Sequence, residues 1–322
     1  MDFSLTEEEH MVVQMAGRFA DGELAPAMRA HETAGGLSPA VRDRFEETGI
    51  PMLGVAEVNP DMPVSWAARA QAIQRLAQAD GAATLLLWRA AWLPPVAARL
   101  GTSGAAHAMV LVRDRAAMTW PLPCVPMAGG DRILVLDDAG SWGVAMVEAT
   151  PTRALGLSAA GPASCSLQSW ADEGHASEAT AAAARATARL WGAAILTGVA
   201  MASLAHSSAY VQERVAFGKR LSNHQGVAFI VADMAIRTRG MDAITAHAAW
   251  MLESAETGPA TDAWLECIEG ALFVTNHAVQ LLGGHGYTRD HPVEKWMRDV
   301  RTLTLLWGGI DLALDDAARG EL

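Results

Sequence analysis

Cysteine is scarce: Cys124, Cys165 and Cys267 are the three in 322 residues, far apart and without C-x-x-C spacing. That excludes a disulfide framework and a structural zinc site, and it fits a reducing compartment. Basic charge is also short. Lys and Arg number 24 against 36 Asp and Glu, a formal net charge of -12. No broad positive surface is therefore available to neutralise nucleic acid or anionic lipid. Long apolar runs are missing too: the most apolar stretch, Leu190 to Ala205, has 16 residues, below the roughly 20 that cross a bilayer. It reads as a buried core helix, and no membrane span is expected. The opening "MDFSLTEEEH" has no basic region followed by an apolar core, so no secretory signal and a cytoplasmic location are expected. A G-x-S-x-G elbow, a Walker loop and an H-E-x-x-H helix are all absent, which removes three common hydrolytic chemistries. The ten histidines are scattered. His285 and His291 flank a turn without metal-ligand spacing, so both are expected to be structural or exposed, and no metal is expected.

What is present is apolar bulk, 51% of the residues, enough for two or three compact units. Thr6-Glu7-Glu8-Glu9 forms a capping box that starts a helix near residue 6. Val12, Met15, Phe19 and Leu24 follow at helical intervals, with Pro26 near the end. Further helices are predicted over 38–48, 65–80 and 82–99, the last with a break at Pro94-Pro95. Between about 116 and 170 the pattern changes. "RILVLDDAGSWGVAMV" reads as two strands, Ile133 to Leu136 and Gly143 to Val147, joined through Asp138, Gly140 and Ser141. Helical spacing then returns in an Ala-rich helix over 179–214, apolar nearly all round. A second helix carries Val227, Ile230, Met234, Met241, Ile244, Ala248 and Met251 on one face, and a third spans 261–282 and ends at Gly283-Gly284. Three long helices of low polarity make a bundle.

The stretch "RVAFGKRLSNHQGVAFIVADM" lies between the first two of those helices. Arg214 offers a planar fork of donors suited to phosphate, Phe217 an aromatic face, Gly218 room for close approach, and Gln225 an amide able to read a polar edge. A nucleotide-gripping corner is one reading. An arginine capping helix carbonyls beside a phenylalanine staple is the other. A second stretch, "QLLGGHGYTRDHPVEKWMRD", places Gln280, Gly283 and Gly284 at a helix end, where the glycines permit a left-handed cap.

Taken together, "R-x-x-F-G-x-x-L-x-x-x-Q", the following "A-D-M" and "LLGGHGYTRD" closely resemble the acyl-CoA dehydrogenase family. The resemblance is strong over 179–312, extends to 1–105 through "DFSLTEEEHMVVQMAGRFADGELAP", and is poor over 106–176. It implies a mainly α fold with an N-terminal helical domain over 1–106, a reduced middle β domain over 107–176 and a C-terminal four-helix bundle over 177–322. It implies FAD at a subunit interface, where the bundle of one subunit contacts the adenosine and pyrophosphate half of a flavin held mainly by its neighbour. On that resemblance Arg214, Phe217 and Gln225, with Gln280, Gly283 and Gly284 as a second patch, serve the cross-subunit contact.

The chain departs from the family where the chemistry would be. The family removes a proton from the carbon next to a thioester and passes a hydride from the following carbon to flavin, which needs a carboxylate base. The usual glutamate stands in a Tyr-Glu-Gly-Thr pattern. Here "LWGG" puts Trp307 or Gly308 at that position. Some relatives place the base on the Ala-rich helix, 29 residues before the Phe-Gly step, and that position is Ala188. Neither place can accept a proton. Glu213, Glu294 and Asp311 are the nearest other carboxylates; Glu213 reads as helix surface, Glu294 as paired with Lys295, Arg298 or another structural cation, and Asp311 as one helical turn too far. The middle domain keeps Thr119 and Pro121 around Trp120 but lacks the Ala-Gly-Ser-Asp loop and flavin-stacking strand of the resemblance. Retained groups act on a neighbour's flavin, and lost groups would act on the chain's own.

The expectation is a non-catalytic or half-site subunit that joins a full-length acyl-CoA dehydrogenase subunit in a heterodimer or heterotetramer, or a homo-oligomer, and acts on acyl-CoA. Short paired subunits of this kind are similar to those that degrade steroid side chains and other bulky acyl-CoAs. The alternative is a structural homologue that binds neither flavin nor acyl-CoA. Of the eleven tryptophans, most are expected as core or interface filler, and Trp307 either as occupant of volume a thioester would need or as ordinary packing at a vacated site.

Overall fold

Side-chain caps set where several of the helices begin. The computed structural model describes residues 3–52, 64–102, 106–127 and 130–320. Residues 53–63 of the predicted helical first hundred, and Ala128-Gly129 of the shortened middle stretch, lie outside them. Helix α1 (Glu7–Phe19) opens on the predicted capping box: the Glu9 amide donates to the Thr6 hydroxyl at 3.2 Å, and the Thr6 amide donates to the Glu9 carboxylate at 3.0 Å. That carboxylate also accepts from the Ser65 amide at 2.9 Å. One side chain thus caps its own helix and anchors the start of another. Burial alone would raise the Glu9 pKa, but hydrogen bonds from Ser65 and Thr6 outweigh it and hold the group below its usual range.

After a π turn come α2 (Met28–Ala34), α3 (Pro39–Glu47), α4 (Trp66–Ala79) and α5 (Gly81–Leu100). Ser38, Ser65 and Asp80 cap the last three. The break expected at Pro94-Pro95 does not occur, and α5 runs through both prolines. Pro94 is exposed and Pro95 half-buried, whereas Leu93, Val96, Ala97 and Leu100 are buried. Burial of that apolar face outweighs the lost hydrogen bonds of the solvent side.

The middle region is a five-stranded sheet. Its strands are β1 (Ala108–Val112), β2 (Leu122–Pro126), β3 (Arg132–Asp137), β4 (Ser141–Pro151) and β5 (Pro162–His175), in the order β1-β3-β4-β5-β2. The predicted pair is β3 and β4, antiparallel with Val135 opposite Gly143, and the Asp137 carboxylate accepts from the Ser141 amide at 2.8 Å across the turn. Side chains alternate along β3. Leu134 and Leu136 join the main helical core, while Ile133 and Val135 build a second core with Val125, Met127, Ala145 and Cys165.

Helix α6 (Glu178–Glu213) leads through the short hairpin β6 (Val215–Ala216) and β7 (Lys219–Arg220) into α7 (Gln225–Leu252), followed by α8 (Gly258–Leu282), α9 (Val293–Leu303) and α10 (Gly309–Gly320). At 36 residues α6 is long and apolar enough to cross a membrane, unlike the 16-residue run read from the sequence. Most of its apolar window is buried, against α4, α7 and α8, as befits the central helix of a bundle. The fully buried Lys295 of α9 joins Asp80 at 2.9 Å and Asp299 at 2.6 Å, and the Leu157 amide donates to Asp299 at 2.6 Å. This triad ties α9 to the cap of α5 and to the β4–β5 connection.

Candidate functional site

A pocket of about 300 Å³ opens where three elements meet. Helix α5 presents Leu86, Arg89 and Trp92, roughly one turn apart; β1 and β2 close one side; and the turn between α9 and α10 closes the other with Leu306, Trp307 and Gly308. That turn is unusual in its backbone. Trp307 is left-handed (φ 51°, ψ 41°), and Gly308 and Gly309 follow at φ 83° and 61°, conformations costly for a side-chain-bearing residue. Packing holds Trp307 there. Its indole is 4% exposed and meets the rings of Trp264 at 5.7 Å and Trp92 at 6.3 Å, both edge-on.

Ala188 is fully buried on α6. One turn later, a β-carbon on Gly192 would lie 2.5 Å from Trp264 and 2.6 Å from Trp307. Gly192, not Ala188, is the α6 position that meets the indoles of Trp264 and Trp307. No carboxylate among the described residues lines the pocket. Asp311 is exposed on α10 and Glu213 exposed at the end of α6. Glu294 is buried between Arg29 and Arg298, each at 2.6 Å, and Lys295 is engaged elsewhere.

The second group of residues lies at the far end of the bundle. Helices α6, α7 and α8 run antiparallel, so the end of α6, the start of α7 and the end of α8 share one pole. Arg214 is exposed at the C-cap of α6, where its amide donates to the Tyr210 carbonyl at 2.9 Å. Phe217 (φ 53°) and Gly218 (φ 79°) form the two-residue turn of the β6–β7 hairpin, as a turn with two positive φ angles requires. The Phe217 ring projects with 94% of its surface exposed. Among the described residues its one ring neighbour is His224, at 6.2 Å edge-on, so it does not act as a staple. Gln225 begins α7 and Gln280 stands near the end of α8, both exposed. Gly283 adopts positive φ (59°) but ψ of -133°, so α8 does not end in the left-handed cap expected; a short 3₁₀ turn follows. The Tyr210 hydroxyl lies 2.9 Å from His285 Nδ1, linking the two patches, and His206 Nε2 lies 3.1 Å from His291 Nδ1. Burial and the neighbouring His291 lower the pKa of His206.

Arg89 was not anticipated from the sequence, yet a signal was there: it is the only charged residue between Asp80 and Arg99. Its Nη1 donates to the His107 carbonyl and to those of Pro126 and Met127 at 3.3 and 3.2 Å. Burial, with a smaller effect from Arg42, lowers its pKa to about 10, so it remains a cation at neutral pH.

A helical domain, a small sheet and an antiparallel bundle around such a pocket define the acyl-CoA dehydrogenase class of fold. Residues 6–106 match the acyl-CoA dehydrogenase N-terminal domain and 179–322 the C-terminal domain. The whole chain is similar to butyryl-CoA dehydrogenase from Megasphaera elsdenii, with a TM-score of 0.85 at 19% identity and all of both chains covered. It is also similar to a glutaryl-CoA dehydrogenase from Mycobacterium smegmatis in complex with FADH2 (TM-score 0.80, 17% identity, 98% and 95% covered). At those identities the likeness is one of fold. Acryloyl-CoA reductase (NADH) of Anaerotignum propionicum is 36% identical over 123 residues, and short-chain specific acyl-CoA dehydrogenase of Clostridium acetobutylicum 36% over 118. Those matches cover 38% and 36% of this chain and span 31% of each relative's length. The chain belongs to the acyl-CoA dehydrogenase family, whose members are FAD-dependent.

Proposed function

We propose that this chain is a half-site or non-catalytic subunit of a hetero-oligomeric acyl-CoA dehydrogenase, contributing the nucleotide-end contact to a flavin seated in its neighbour. The observation that carries the reading is the contrast between the two sites. The pocket beside Trp307 and Gly308 has no carboxylate in its described wall, and α,β-dehydrogenation of an acyl-CoA needs a base there. The opposite pole exposes Arg214, Phe217, Gln225 and Gln280 to a neighbour.

The residues at that pole fit the adenosine and pyrophosphate half of FAD. Arg214 is exposed, and β-carbons built on Gly283 and Gly284 meet nothing within 4 Å, which leaves room for a phosphate-bearing chain. The reactive ring finds no such fit, because the Ala-Gly-Ser-Asp loop and stacking strand are missing from the sequence. Helix α7 supports an oligomer: Phe229 and Ile236, seven residues apart on one face, are 60% and 69% exposed. A site shared between unequal subunits would have room for a bulky acyl group, steroid-derived ones included, in a cytoplasmic setting.

The test is co-expression with a full-length family member and measurement of bound flavin. One flavin per two chains, lost on Arg214→Ala, is expected. One flavin per chain in a homo-oligomer of this chain alone would overturn the reading. A colourless chain that ignores every partner would favour a purely structural homologue.

A further inference from the structure

We infer that His206 and His291 form an acid-sensitive latch that holds the segment 283–292, between α8 and α9, against α6, and that protonation of both rings opens it. Its consequence for assembly rests on the subunit reading above, since Gly283 and Gly284 belong to this segment; the latch itself does not.

The bridge has room for one hydrogen. His206 stands on α6, and its Nε2 lies 3.1 Å from His291 Nδ1. At that distance one nitrogen donates and the other accepts. An added proton on the outer nitrogen of the donor ring leaves the bridge intact. A second puts hydrogens on both facing nitrogens and two positive charges side by side, and the bridge breaks. Once the segment is open that limit is gone, and each ring titrates near the usual imidazole value of about 6.5. Opening therefore takes up at least one proton, and acid drives it.

The groups around the pair do little to offset that charge. From α6, Tyr210 meets His291 edge-on at 5.7 Å, and from the 3₁₀ turn His285 lies parallel to His291 at 6.0 Å, a third titratable ring. From α9, Trp296 meets His206 edge-on at 6.0 Å, while Lys295 is engaged with Asp80 and Asp299. From α2, the Arg29 Nη2 donates to the His291 carbonyl at 2.7 Å, and its Nη1 meets Glu32 and Glu294. Arg289 pairs with Glu32 at 3.2 Å, and Asp290, beside His291 in sequence, is exposed, where water and salt screen it. The other link across this gap is the Tyr210 hydroxyl, 2.9 Å from His285 Nδ1. That link survives acid, because a hydroxyl accepts as readily as it donates. The sensitive bond is the one between the two histidines.

Hydrogen exchange of the full chain, corrected for the intrinsic pH dependence of amide exchange, tests the latch. Protection of segment 283–292 is expected to fall at least about ten-fold between pH 6.5 and 5, while the buried middle of α6 keeps its protection. His206→Gln and His291→Gln each retain a hydrogen-bonding side chain and remove one titrating ring, so both are expected to flatten that fall. A parent segment equally protected at both pH values, or variants that show the parent's fall, would overturn the latch. Association with a full-length dehydrogenase subunit is measured separately. A chain whose segment opens in acid but which joins no partner even at neutral pH would sink the subunit role and leave the latch standing.

Discussion

A β-carbon on Gly192 would stand 2.6 Å from the indole of Trp307. The bare backbone of α6 is what admits that ring, and with it the closed wall of the pocket. Helix propensity favours Gly192→Ala by up to about 1 kcal/mol. Overpacking opposes it by about 1–3 kcal/mol, and because Trp264 crowds the same point at 2.5 Å the opposing effect wins. Urea unfolding should show a net loss of stability; a gain would mean the two rings repack freely.

The Asp80–Lys295–Asp299 triad makes a sharper prediction. Lys295 and Asp80 are fully buried and Asp299 nearly so. Lys295→Met removes the cation and strands two carboxylates in the core, with an expected cost of about 3–5 kcal/mol. Replacing all three by apolar residues is expected to cost less than that single change. Thermal unfolding of both variants checks the order, and a single variant as stable as the parent would show that water reaches the site.

Acid should weaken the link between α2 and α9. Burial alone would raise the Glu32 pKa, but hydrogen bonds from Arg29 and Arg298, at 2.8 and 2.6 Å, outweigh it and lower it from 4.5 to about 2. A depressed carboxylate contributes stability that is complete above its unfolded value and is lost as pH falls through the folded one. The stability gap between the parent and Glu32→Gln should therefore be widest above about pH 5 and close as pH falls from 4.5 toward 2. A gap independent of pH would mean packing, not charge, carries the contribution.

The helical part of the fold was legible because its signals are local. Thr6, Ser38, Ser65 and Ser177 each stand where a helix starts. Three strands of the five-stranded sheet were not legible, for different reasons. β2 contains Pro123 and Pro126 and looks like loop, but it lies at the sheet edge, where a missing amide donor is tolerated. β5 is largely exposed beyond Cys165, so no apolar alternation marks it. β1 is a short apolar run whose partner, β3, is set by long-range parallel pairing. In the site, Trp307 and Gly308 could be found through a motif. Arg89 belongs to no motif, and only the lone charge in an apolar helix pointed to it.

The outer face of α7 gives the last prediction. Phe229 and Ile236 are exposed, while Met234, Thr238 and Met241 on the same helix are buried. Apolar side chains clustered outward on a helix that already has a filled inner face mark an interface. Phe229→Asp with Ile236→Asp should leave helical content and thermal stability of the isolated chain nearly unchanged, since surface changes shift stability by only about 0.5 kcal/mol. The same pair should abolish co-purification with a full-length dehydrogenase subunit, because a central desolvated carboxylate costs more than the contact it replaces. Undiminished co-purification would place the interface on another face, and the role assigned to α7 would fall with it.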